Sequence, residues 1–167
     1  MKNLFNFFAL ILFTAFFIAG CTRDDLCPEN TGVTPNISIL FHNSQEPDLR
    51  KSVENLKILV DDESQTVAFS PATTDSISLP LNVNSDQTDF IFEKIVTSET
   101  DTLIYQNHLS FSYNRKDIYV NRACGFRSEF YDLNVSNRAG NLSWIDAITV
   151  KKDSITNENE AHLIIYH

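Results

Sequence analysis

Most of the marks of a catalytic or nucleic-acid-binding protein are missing from this sequence. No basic run occurs anywhere in its 167 residues, and the formal net charge is −9, which excludes nucleic acid as a natural partner. Its four glycines form no Gly-rich phosphate loop, and there is no Gly-x-Ser-x-Gly elbow and no His-Glu-x-x-His pair, so phosphate, serine-hydrolase and zinc-protease chemistry have no motif to stand on. Helical periodicity is almost as scarce: only Ser52 to Leu59 reads as a helical turn. No internal repeat appears at solenoid or propeller periods.

Long apolar runs are also lacking, with one exception. Leu4 to Ile18 is apolar apart from Asn6 and Thr14 and follows the positive Lys2. It is too short and ends too abruptly to span a bilayer stably, so it reads as an export signal. Ile18-Ala19-Gly20-Cys21 matches a lipobox, with a branched apolar residue three before the cysteine and small residues that admit the signal peptidase. The expectation is a lipoprotein precursor in which residues 1–20 are cleaved and Cys21, whose thiol is the nucleophile that accepts a diacylglyceryl group, becomes the lipidated first residue. Each buried CH₂ of the acyl (palmitate-type) chains contributes about 0.8 kcal/mol, so the two or three chains expected on such a cysteine hold where one would not.

Loss of the signal removes Lys2 and leaves 147 residues carrying 12 Lys and Arg against 22 Asp and Glu. That is one domain's worth of chain, enough to bury a core. There are only three cysteines, and lipidation consumes Cys21. Cys27 and Cys124 remain as a pair in a compartment that permits disulfides, and a bridge between them is expected. Residues 21–35 contain Arg23-Asp24-Asp25, Pro28, Gly32 and Pro35 with few apolar residues, and read as an extended lipidated tether. With Cys27 bonded, the six residues from Cys21 reach at most about 20 Å, which holds the domain near the membrane surface.

Residues 36–167 are dominated by period-two alternation. Ile37, Ile39 and Phe41 alternate with Ser38 and His42, and Leu109, Phe111 and Tyr113 alternate with Ser110 and Ser112. Similar short runs occur at Leu56 to Val60, Thr66 to Phe69, Ser76 to Leu79, Phe90 to Val96, Thr102 to Tyr105, Ile118 to Val120, Phe126 to Val135, Trp144 to Lys151 and His162 to Tyr166. Turn-rich pieces separate them, among them Asp61-Asp62-Glu63-Ser64, Asn114-Arg115 and Ser136 to Asn141. About ten short strands with regular turn signals predict an all-β antiparallel β-sandwich, an Ig-like or transthyretin-like Greek key, with a small β-barrel as the alternative.

No catalytic residue, metal ligand set or cofactor site is expected. His42, His108, His162 and His167 are scattered in or beside strands and read as structural. Asp61-Asp62-Glu63 lacks the alternating spacing and glycine of a calcium loop and reads as a solvated hairpin turn. Asp75-Ser76-Ile77, Asp101-Thr102-Leu103 and Asp153-Ser154-Ile155 resemble the O-glycan acceptor pattern of exported Bacteroidota proteins, which makes Ser76, Thr102 and Ser154 candidate acceptors. Asp followed by a hydroxyl residue is also a natural way out of a turn and into a strand, and about one match arises from composition alone. Asn36-Ile37-Ser38, Asn134-Val135-Ser136 and Asn141-Leu142-Ser143 are read as ordinary turn and strand residues.

The lipobox, Cys27, Thr34-Pro35, the stretch from Asp75-Ser76 to Pro80, Asp101-Thr102-Leu103, Ala123-Cys124-Gly125-Phe126 and the terminal Ala161-His162-Leu163-Ile164-Ile165-Tyr166 together resemble a family of Bacteroidota lipoproteins catalogued as a domain of unknown function. The resemblance implies an outer-membrane lipoprotein and brings no activity, cofactor or catalytic residue with it. In such bacteria an acidic stretch after the lipidated cysteine routes lipoproteins outward, and Thr22-Arg23-Asp24-Asp25 is similar to it, which favours the cell surface over the periplasmic face. The expected role is a non-catalytic binding or support domain, held to the membrane through Cys21, for a protein or glycan partner. Its rivals are a hydrolase-type enzyme with an unrecognised site and a structural subunit of a surface assembly. The first requires a pocket that gathers histidines and carboxylates; the second requires a long, apolar, uncovered edge strand.

Overall fold

The computed structural model describes residues 26–28, 31–140 and 142–167. The expected signal peptide (residues 1–20), the expected lipidation site Cys21, the acidic stretch Thr22 to Asp25 and Asn141 lie outside the described residues. Nine strands run in the order β1 (Ile37–His42), β2 (Val53–Val60), β3 (Val67–Thr74), β4 (Ser76–Leu79), β5 (Gln87–Thr97), β6 (Thr102–Asn121), β7 (Gly125–Ala139), β8 (Ala147–Val150) and β9 (Leu163–Tyr166). They form two sheets, β4-β1-β9-β8 and β3-β2-β5-β6-β7. The architecture is the expected all-β sandwich, and the sheets do not close into a barrel. All pairings with a defined register are antiparallel except β1 with β9, which is parallel.

The chain divides into two compact units: Val33–Ile118 with Arg127–His167, and a small unit made of the chain up to Gly32 with Tyr119–Phe126. The core of the larger unit follows the alternation read from sequence. Ile37, Ile39 and Phe41 of β1, Phe90 and Phe92 of β5, Leu109 and Phe111 of β6, Phe130 of β7 and Leu163 and Ile165 of β9 are buried and pack in one cluster. These β-branched and aromatic side chains fit a pleated surface that is covered on one side.

Three local expectations fail for identifiable reasons. Ser52 to Leu59 is no helical turn but the body of β2, and its apparent helical spacing comes from a bulge. Asn55 sits at φ 47° and the β2–β3 register shifts there, so the inserted residue places buried Val53 and Leu56 three apart. Asn114-Arg115 is no turn either. β6 runs straight through as one 20-residue strand, and the Asn114 Nδ2 donates to Asp132 Oδ2 of β7 at 2.7 Å. The apolar alternation stops there because both faces are exposed, while the ladder continues. The turn predicted at Ser136 to Asn141 is likewise occupied by strand, with β7 continuing to Ala139.

The edges of both sheets are blunted. β3 is exposed along most of its length and carries Pro71, which removes a ladder donor from an edge strand. Along β7, Phe130 and Ile155 exchange backbone hydrogen bonds at 3.2 and 2.7 Å and Leu133 donates to Asp153. β4 and β8, the edges of the other sheet, are four residues each.

Candidate functional site

Along β5 and β6 the inward face changes character. Phe90 pairs with Leu109, Phe92 with Asn107 and Lys94 with Tyr105, and residues two apart in a strand share a face. The apolar interior therefore gives way, two residues further along each strand, to an amide, an ammonium and a phenol. Asn107 is fully buried and spends its bonding capacity on the end of β7 and the segment after it. Its Nδ2 donates to Asn137 Oδ1 and Ser143 Oγ, both at 2.9 Å, and its Oδ1 accepts the Trp144 N–H at 3.1 Å. Trp144, thus fixed, donates its indole N–H to Phe92 O at 3.1 Å.

These residues frame a cavity of about 270 Å³ lined by Lys51, Lys94, Tyr105, Ser143, Trp144 and His167. His167 packs edge-on against Trp144 with ring centroids 5.5 Å apart and its Nε2 donates to Lys51 O at 3.1 Å, while Lys51 Nζ donates to His167 O at 2.7 Å. Burial above all, with help from the positive charges of Lys51 and Lys94, holds the His167 imidazole below its ordinary pKa, against the hydrogen bond to Lys51 O and, more weakly, Asp146. The ring is neutral at neutral pH, so the positive charge in the cavity belongs to the lysines. Among the described residues neither Lys94 nor the Tyr105 hydroxyl has a side-chain hydrogen bond or ion pair, and both face the cavity. An ammonium, a phenol, a seryl hydroxyl and an indole around one concavity are suited to a carboxylate- and hydroxyl-bearing ligand.

Three larger cavities offer less chemistry. In one of about 390 Å³, lined by Asp61, Asp62, Asn82, Ser85, Gln87, Thr88 and Asp89 among others, Asp61 is spent on His108 and Asp62 on the β2–β3 turn. Another, of about 490 Å³, is lined mainly by Val60, Val67, Ala68, Leu81 and Phe90, and the hydroxyl of Thr88 at its wall is already engaged by Asn82 N–H at 2.8 Å and Tyr113 at 2.6 Å. The third, about 410 Å³, is lined by Ser38, Arg50, Ser76, Ser78, Glu158 and Glu160 among others. There Arg50 is spent on Asp75 at 3.4 Å, and Glu158 on Asn36 N–H and Ser78 Oγ. Among the described residues no group of three or more His, Cys, Asp or Glu is arranged to hold a metal ion.

The residues singled out in the sequence are dispersed over the described structure. Cys27 and Cys124 are joined by a disulfide across 97 residues, with Cα atoms 4.9 Å apart. Ser76 and Thr102 are the exposed first residues of β4 and β6, and Ser154 is half-buried beside Ile155. The three do not come together. In two of them the preceding aspartate engages the hydroxyl residue: Ser76 Oγ donates to Asp75 Oδ1 at 3.2 Å and Thr102 N–H to Asp101 Oδ1 at 2.8 Å. Asp62 caps the β2–β3 turn, with its Oδ1 accepting from Ser64 N–H and Oγ and from Gln65 N–H, and the Ser64 hydroxyl bond is the main reason its pKa is lowered.

The histidines serve the framework separately. His42 Nδ1 donates to Pro47 O, His108 pairs with Asp61 at 2.6 Å, and His162 Nδ1 accepts the Ser38 N–H at 3.0 Å. Burial first, then Lys152, holds His162 below its ordinary pKa. For His162 and His167 the unfolded chain takes up a proton near 6.5 and the folded chain only at lower pH, so in that interval the unfolded state binds more protons. Stability contributed by the neutral rings is full above 6.5 and is lost as pH falls through and below that value. The melting temperature should therefore drop as pH is lowered from about 7 to about 5, and His162→Asn, which keeps an acceptor for Ser38 but cannot titrate, should flatten the drop. An unchanged profile in the variant would remove His162 from this account.

Alternation alone does not single out Lys94, Tyr105 and Asn107, because each is a polar side chain on a face otherwise apolar. Their parity with Phe92 and Leu109 was the available signal. Compared with known proteins, the chain matches the model of a family of unknown function, DUF6452, over residues 55–167. No curated protein and no solved structure matches it.

Proposed function

The chain belongs to this DUF6452 family of unknown function, and we propose that its mature form is an envelope-anchored, non-catalytic binding module for an acidic glycan. The pocket of Lys51, Lys94, Tyr105, Ser143, Trp144 and His167 would take the ligand. One observation carries the ligand class: the Lys94 ammonium and Tyr105 hydroxyl are cross-strand partners that face a cavity with their bonding capacity unspent. The same lining holds one histidine and no Asp or Glu side chain, which supports binding over hydrolysis. The blunted edges of β3, β4, β7 and β8 support binding over strand exchange within an assembly.

The anchor in this proposal is a lipidated Cys21 at the outer membrane, with Asp24-Asp25 favouring the cell surface. Ser76, Thr102 and Ser154 remain proposed glycan acceptors, of which Ser76 and Thr102 are exposed. Intact-mass measurement of the protein purified from its own membrane reads both modifications at once, as acyl mass on the Cys21 peptide and as hexose additions. A native mass equal to the unmodified polypeptide would sink both.

For the pocket, calorimetric titration with uronate-containing oligosaccharides and with their neutral counterparts is the direct test. Acidic chains should bind and neutral ones should bind at least about tenfold more weakly, because a charge-assisted hydrogen bond contributes roughly 1.5–3 kcal/mol. Lys94→Ala should abolish that preference without lowering the melting temperature. Equal affinity for acidic and neutral chains would overturn the ligand class.

A further inference from the structure

The small unit presents apolar side chains that nothing among the described residues covers. Leu26, Tyr119 and Phe126 are 80, 59 and 68% exposed, and the Tyr119 and Phe126 rings lie edge to face with centroids 5.4 Å apart. The turn between them is held rigidly. Asn121 Oδ1 accepts the Ala123 and Cys124 N–H groups at 2.9 and 2.8 Å, and Gly125 takes the positive φ of 71° that closes it. The Cys27–Cys124 disulfide locks Leu26 to the same turn. A rigid pair of exposed aromatic rings is costly to leave in water and suits a boundary where one side is apolar and the other wet.

We infer that this aromatic turn is a membrane-docking tip, seated in the interface of the lipid surface to which the protein is anchored. The inference rests on the proposed lipidation of Cys21. Five residues separate that cysteine from Cys27, so Cys124, Tyr119 and Phe126 are confined to within about 20 Å of the acyl chains, plus the width of a turn. Charge agrees with this occupant. Arg122 is exposed and no acidic residue is present among the described residues of the small unit; beside it Lys116 is exposed without an ion pair among the described residues, whereas Arg115 and Arg127 are paired with Asp117 and Glu129, in a chain of net charge −9. Asp24, Asp25 and Glu29 lie outside the described residues. An apolar, locally cationic turn on an otherwise acidic protein selects an anionic lipid boundary over the protein's own surface.

The test uses Tyr119→Trp and Phe126→Trp in the lipidated full-length protein, reconstituted into vesicles of phosphatidylethanolamine and phosphatidylglycerol with or without brominated acyl chains. The one native tryptophan, Trp144, is only 8% exposed and reports the background. Each introduced tryptophan should lose about half its emission or more to bromine, because interfacial side chains sit roughly 5–10 Å deep, while Trp144 in the unsubstituted protein is unaffected. Each variant is first required to melt as the unsubstituted protein does. Flotation with vesicles without added quenching would overturn the tip and leave the anchor standing. Absence of flotation would overturn the anchor, and the tip with it. A blue shift of the introduced tryptophan that depends on protein concentration without vesicles would show a second copy on the turn, and would also overturn the proposal.

Discussion

Removing the Cys27–Cys124 bridge, as the paired Cys27→Ala and Cys124→Ala variant, is expected to lower the melting temperature by about 10 °C. The disulfide closes a loop of 97 residues, and restoring that loop's freedom to the unfolded chain costs about 4 kcal/mol in the chain-entropy model. In a domain of this size each kcal/mol shifts the midpoint by roughly 2–4 °C. The folded state loses little by comparison. The chain after Cys27 is held again at Thr34, whose Oγ1 accepts the Ser128 N–H at 2.9 Å, and at Asn36, whose N–H donates to Glu158. The variant should therefore fold, melt early and keep the pocket. Calorimetric melting of both proteins checks this, and a midpoint within a degree or two of the unsubstituted protein would show that the unfolded chain gains nothing from the missing link.

The same variant separates the two units functionally. Lys94, Tyr105 and Trp144 belong to the larger unit, whereas Leu26, Tyr119 and Phe126 belong to the small one. Loss of the bridge releases Leu26 from the Tyr119–Phe126 turn and lengthens the reach from Cys21 to the domain. Ligand affinity should be retained in calorimetric titration while bromine quenching at residue 126 weakens.

The strands that build the core were legible because each has one dry face and one wet face. Ile37, Ile39 and Phe41 alternate over consecutive residues without a bulge, and β4 was read with its observed boundaries, Ser76–Leu79. What failed was whatever depends on a partner strand. The bulge at Asn55 converts a period of two into an apparent period of three, and only the pairing with β3 distinguishes it from a helical turn. Asn114 to Asp117 in β6 carries no apolar face, so nothing in it announces a strand until β7 is beside it. The disulfide was legible by another route, since an expected lipidation of Cys21 leaves Cys27 and Cys124 as a pair. The pocket was not legible at all, because Lys94 and Tyr105 are eleven positions apart and meet through the β5–β6 register.

Asn107→Ala is expected to destabilise the protein by about 3 kcal/mol and to weaken ligand binding as well, although Asn107 does not line the cavity. Its side chain is fully buried, so deletion leaves the Trp144 N–H without its acceptor and removes a partner from both Asn137 and Ser143. One buried donor left unsatisfied costs about 1–3 kcal/mol, and the small cavity left by the amide adds to that. Asn107→Leu fills the space but restores none of the bonds, so it should recover little; recovery of full stability would mean that packing, not hydrogen bonding, is the cause. The effect on binding follows from what the amide holds. Ser143 and Trp144 form one wall of the pocket and Trp144 in turn braces His167, so freeing that segment lets the wall move relative to Lys94 and Tyr105. Affinity for the acidic oligosaccharide should fall in Asn107→Ala even at temperatures where the variant is fully folded. Lys94→Ala should lose affinity with no change in melting temperature, and the contrast between the two variants separates holding the pocket's shape from touching its ligand. Unchanged affinity in a destabilised but folded Asn107→Ala protein would show that the wall keeps its place without the amide.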